Sequence, residues 1–133
     1  MGGDLTKNTE ATKTFDVIVA SKTSSHPYYN QGSSYAYYLG GLESPTLNLP
    51  PGTYRFDQSD PSNSGTGTGN VSHPLLFYEN ADKSGNTINV TTAGTLGNSG
   101  AYTQIVITST TTTPIYYQCS SHALMGNAVA TQS

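Results

Sequence analysis

The sequence predicts an all-β fold, a sandwich or barrel, and three observations carry that prediction. No stretch of ten or more residues shows the apolar period of a helix. Seven or eight short runs rich in β-branched and aromatic residues recur instead, with Gly, Pro, Asn and Ser clusters between them. At 133 residues the chain has room for one real core and not for two substantial ones.

Residues 1–13 are polar and aperiodic and read as a flexible leader, which leaves 14–133 as the single domain. Phe15 to Ala20 is the first strand, ended by Ser/Thr/Lys turn composition. Ser34 to Leu39 is the second, stopped by Gly40-Gly41. Leu42 to Leu49 alternates loosely around Pro45, and Pro50-Pro51-Gly52 is a strong turn. In Thr53 to Gln58, Tyr54 and Phe56 share a face because strand side chains alternate. Asp60 to Asn70 is a loop without an apolar residue, and His73 to Tyr78 then opens a strand that puts His73, Leu75 and Phe77 on one side. Thr87 to Thr92, Ala101 to Thr108, Ile115 to Cys119 and Asn127 to Ala130 complete the set.

Composition narrows the function. Charged residues make up only 10% and the net charge is −3, so there is no basic patch to neutralise phosphates and no nucleic-acid partner is expected. No apolar run is long enough for a membrane span. Met1 to Lys13 lacks the apolar centre of a secretory signal, so a periplasmic or extracellular location would require prior processing. The single cysteine cannot form an internal disulfide and is either free or ligated.

Chemistry concentrates at the C-terminal end. Cys119, His122 and Met125 place a thiolate, an imidazole and a thioether at spacings of three residues, a soft donor set that selects copper or zinc over calcium or magnesium. A further ligand would come from His26 or His73, the other two histidines. His73, at the mouth of its strand, can approach Cys119 across a Greek-key sandwich. Two imidazoles and a thiolate with a weak axial thioether make a blue-copper arrangement suited to one-electron transfer. Zinc on His73, Cys119 and His122 is the lesser alternative, since it accepts the same donors but has little use for Met125.

These residues resemble the cupredoxins, the type 1 copper proteins, of the amicyanin and plastocyanin kind. Pro51-Gly52-Thr53-Tyr54-Arg55-Phe56 is similar to their P-G-x-x-x-F strand, and His73-Pro74-Leu75-Leu76-Phe77 to the segment of their first ligand. Tyr117-x-Cys119-x-x-His122-x-x-Met125, with Gly126 next, is similar to their C-terminal ligand loop. The resemblance implies a Greek-key β-sandwich holding one copper per chain, with His73, Cys119 and His122 equatorial and Met125 axial. It also implies electron exchange with a redox protein docking near His122, Ala123 and Leu124. Pro74 departs from the pattern, because the family commonly has an asparagine there whose backbone N–H stabilises the thiolate, and proline has none. The long 60–70 loop also departs from it, and is expected to cover the metal or serve another contact.

Other readings stand beside this one. The Ser/Thr/Gly/Tyr-rich composition and the segments around His73 and Cys119 also resemble cupredoxin-like modules of marine bacteriophage structural proteins, which implies a virion-associated adhesion module whose metal site is stabilising or vestigial. A Cys119–His122 or Cys119–His73 catalytic pair is disfavoured, since no oxyanion-hole loop or third orienting residue adjoins it, and no enzyme is expected. His26, in a Ser/Pro/Tyr turn, is expected to be solvated and to serve only as a reserve ligand. Tyr28, Tyr29, Tyr35, Tyr37 and Tyr38 are expected to pack strand faces rather than to bind a sugar or a partner.

Overall fold

Side chains on a strand alternate between faces, so the buried positions show which face each strand turns inward. In β1 (Lys13–Ser21) Val17 and Val19 are buried while Asp16 and Ile18 are exposed. The structure, a computed structural model, describes residues 12–131, so residues 1–11 of the expected leader lie outside the described residues. Lys13 opens β1 opposite Tyr54, and the Thr12 N–H just before it donates to Thr53 O at 2.6 Å.

Two sheets form the sandwich. One holds β1 with β2 (Tyr35–Leu39), β3 (Leu42–Glu43), β5 (Gly52–Asp57), β7 (Thr91–Ala93) and β8 (Tyr102–Ile107), in the order β3-β2-β1-β5-β8-β7. The other holds β4 (Leu47–Leu49), β6 (Leu75–Tyr78), β9 (Ile115–Cys119) and β10 (Asn127–Thr131), in the order β4-β10-β9-β6. Pairing is antiparallel except for β1 with β5 and β4 with β10. Phe56 of the first sheet meets Phe77 and Tyr117 of the second, with ring centroids 5.2 and 6.4 Å apart, so aromatic contact joins the layers directly.

Two expected strands divide. Leu42 to Leu49 breaks around Pro45, whose missing N–H cannot serve a ladder, and its halves join different sheets. The 87–92 run crosses between layers: Thr87 bridges to Tyr78 and the Ile88 N–H donates to Phe77 O at 2.8 Å, whereas Thr91 already pairs with Gln104. Tyr102 takes the outer face of β8, where Arg55 lies 3.8 Å from its ring centroid, while Ile105 and Ile107 face inward. Tyr37 is fully buried, but Tyr29 is 44% exposed, so the tyrosines do not form one packed cluster.

The 60–70 segment substitutes for a strand. β1 pairs with β5 only as far as Asp16. Beyond that point its backbone groups are met by side chains: Ser62 Oγ accepts from the Val19 N–H at 2.9 Å, Asn63 Nδ2 donates to Val17 O at 2.9 Å, and Thr68 Oγ1 donates to Val19 O at 2.8 Å. Buried backbone groups require partners, and short polar residues supply them here. This is why a segment with no apolar side chain holds a fixed path, including two 3₁₀ turns at Pro61–Asn63 and Thr68–Asn70.

Candidate metal centre

His73 sits just before β6, and the inward alternation His73, Leu75, Phe77 holds, since all three are fully buried. Its backbone is fixed from three sides. The His73 N–H donates to Asn63 O at 3.0 Å, and His73 O accepts from Tyr37 Oη at 2.6 Å and Gln58 Nε2 at 2.7 Å. Gln58, itself fully buried, also bonds Asn63 Oδ1 and the Leu75 N–H, so one side chain joins the loop to the backbone on both sides of Pro74.

The ring is fixed too. His73 Nε2 lies 2.8 Å from Thr68 O. A carbonyl can only accept, so Nε2 donates to it and Nδ1 is the nitrogen turned toward the sulfur. That nitrogen lies 3.8 Å from Cys119 Sγ. The 60–70 segment thus meets the site by orienting this imidazole.

Cys119 closes β9, paired with Leu75 on β6, and the ladder continues one step through the Ser120 N–H to Pro74 O at 3.0 Å. Pro74 therefore contributes its carbonyl, and the N–H directed at the sulfur comes from Ser121, at 3.4 Å. The loop then curls back and places His122 Nδ1 3.5 Å from Sγ, with the two imidazole centroids 4.8 Å apart. His73 Nδ1 or Nε2, Cys119 Sγ and the nearer His122 nitrogen fall within 4.8 Å of one another. His73 and Cys119 are buried and His122 is half-buried. Burial first, then the neighbouring His73 and Lys83, lowers the His122 pKa below the ordinary histidine value.

Met125 is fully buried in the same core cluster as Cys119. Its carbonyl accepts from the Tyr37 N–H at 2.9 Å and from Ser44 Oγ at 2.8 Å. Leu124, at φ 61°, makes the left-handed step that returns the chain to the core.

His26 differs from its expected solvated state: it is 4% exposed and both its nitrogens are engaged. Nδ1 accepts from the Tyr28 N–H at 2.9 Å, and Nε2 faces Ser44 Oγ at 2.9 Å and Met125 O at 3.4 Å. Its loop is drawn inward by Lys22, whose ammonium donates to Tyr28 O and Gln31 O at 3.1 and 2.6 Å. His26 is a buttress for the Met125 backbone and stands outside the His73, Cys119, His122 group.

Fold and site together define a β-sandwich carrying a thiol–imidazole group that could hold a metal ion. Bond lengths of about 2.3 Å to sulfur and 2.0–2.1 Å to nitrogen put such donors roughly 3.5–3.8 Å apart at tetrahedral to trigonal angles. The two sulfur–nitrogen separations, 3.5 and 3.8 Å, fall in that range.

No protein-family model matches the chain, and no curated protein matches it. Among solved structures it is similar to rusticyanin. A reduced rusticyanin is 16% identical, with 92% of this chain and 81% of that chain covered and a TM-score of 0.47. A structure described as the copper protein rusticyanin is 13% identical, covering 92% and 80% at a TM-score of 0.44. Rusticyanin from Thiobacillus ferrooxidans is 16% identical, covering 99% and 94% at a TM-score of 0.41.

Proposed function

We propose that the chain is a mononuclear copper protein of the cupredoxin kind that exchanges single electrons with a partner. The carrying observation is the His73 ring, held by Thr68 O so that its Nδ1 faces the Cys119 sulfur. With His122 Nδ1 3.5 Å from the same sulfur, the three donors gather within 4.8 Å of one another. His73, Cys119 and His122 would hold the ion, with the Met125 thioether as a further soft donor that favours copper over zinc. Copper bound there would supply reversible one-electron exchange between its Cu(II) and Cu(I) states.

The chain's own part is to keep the donors fixed and dry. Buried His73, Cys119 and Met125 exclude water, and half-buried His122 is the ligand nearest solvent. A redox partner would dock over His122, exposed Ala123 and half-buried Leu124.

Titration of the metal-free protein with Cu(II) is expected to develop an intense visible thiolate-to-copper band at one equivalent. The band should be missing from Cys119→Ser and should bleach and return with mild reductant and oxidant. A protein that stays colourless with copper overturns the reading. A coloured protein that cannot be cycled leaves copper binding and removes electron transfer.

A further inference from the structure

We propose that Lys83 is a positioning residue for this centre: its ammonium gathers three carbonyls of the ligand-bearing loop and holds a fixed positive charge beside Cys119 and His122. The proposal deepens the copper reading and rests on it.

Lys83 Nζ lies 3.1 Å from Cys119 O, 3.3 Å from Ser120 O and 3.4 Å from His122 O. An ammonium has three donors and no acceptor, and three carbonyls meet it. Those carbonyls converge on one point only while the loop keeps the curl that brings His122 Nδ1 to 3.5 Å from the sulfur. The residue that delivers the charge is itself held in an unfavourable conformation, φ 69°, where a glycine would be at ease.

The surrounding turn holds it there. The Lys83 N–H donates to Asn80 O at 3.0 Å, Asn80 Nδ2 donates to Ser84 O at 3.0 Å, and Gln118 Nε2 ties Ala81 O to β9 at 3.0 Å. The nearby carboxylates are occupied elsewhere: Asp82 accepts from the Ser84 N–H and Glu79 from the Asn86 N–H. The charge of Lys83 is therefore directed at the ligand loop.

Two separable effects follow. The hydrogen bonds keep the loop curled before metal arrives. The charge disfavours added positive charge on a bound ion, which favours Cu(I) over Cu(II).

The test compares the wild type with Lys83→Arg, Lys83→Gln and Lys83→Met, using amide hydrogen exchange in the metal-free proteins and reduction potentials in the copper-loaded ones. In Lys83→Met, exchange at Ser121 to Ala123 should quicken about tenfold through easier local opening. The ratio of Cu(I) to Cu(II) affinity should fall about tenfold, or about 59 mV for one electron. Lys83→Arg should restore the potential, and Lys83→Gln should recover part of the protection while its potential stays low. Wild-type exchange and potential in Lys83→Met would overturn the proposal, and a wild-type potential in Lys83→Gln would overturn the role of charge. Should the wild type itself take up no copper, the copper reading fails, and exchange in the metal-free proteins still decides whether Lys83 holds the loop.

Discussion

At the scale of single residues, the site depends on polar side chains that never touch a metal. Asn63 is the clearest case, since its fully buried amide meets Val17 O, Asp60 O and Gln58 Nε2 while its backbone carbonyl receives the His73 N–H. Removing it orphans buried groups, so Asn63→Ala should cost about 1–3 kcal/mol in urea unfolding. Gln58→Leu should lower copper affinity about 10–100-fold, because it strips one of the bonds orienting His73. Competition with a coloured chelator would measure this, and an unchanged affinity would show that Tyr37 Oη and Asn63 O suffice. Tyr37 is well suited to holding the His73 carbonyl. Burial first, then the Cys119 sulfur, pushes its phenol well above the ordinary range, so it remains a donor.

At the scale of elements, the ligand loop is held between two neighbours. The 79–86 turn meets it through Lys83 and Gln118, and the β1–β2 loop meets it through the Ser33 N–H, which donates to Ala123 O at 2.9 Å. The second contact depends on Gly32, at φ 62°, where an added Cβ would lie 2.6 Å from Ala123 O. Gly32→Ala combines left-handed strain with overpacking and is expected to cost about 1–3 kcal/mol. Its urea midpoint should fall, and amide exchange should rise at both Ser33 and Ala123; a rise at neither would show that the loops are uncoupled. These supports explain what the sequence hides. One cysteine and three histidines make the donor set almost a matter of counting, and the alternation from His73 to Phe77 gives the right face. The contributions of Thr68 O, Met125 O and Ala123 O come from backbone carbonyls, which leave no side-chain signature. His26 misleads for a related reason: its turn composition suggests solvent, and only Lys22 and Ser44, neither of which belongs to a motif, draw it inward.

At the scale of the whole molecule, the architecture does not require a metal. The core runs between the sheets through Phe56, Phe77 and Tyr117, and no buried side-chain nitrogen or oxygen among the described residues lacks a partner. Chelation should leave the far-ultraviolet circular dichroism unchanged. It should lower the melting temperature only by the ligand-linked amount, about 2.7 kcal/mol when free copper stands at 100 times its dissociation constant. Collapse of the spectrum would mean that folding and metal binding are one process. The side chains of Ser62, Asn63 and Thr68 that finish β1 where β5 departs have a consequence for how copies of the protein meet. A bare strand flank offers amides and carbonyls to any passing chain and invites sticking between molecules, whereas here hydroxyls and an amide have already taken those positions. The same stitching that aims an imidazole also closes that flank of β1 to an added strand.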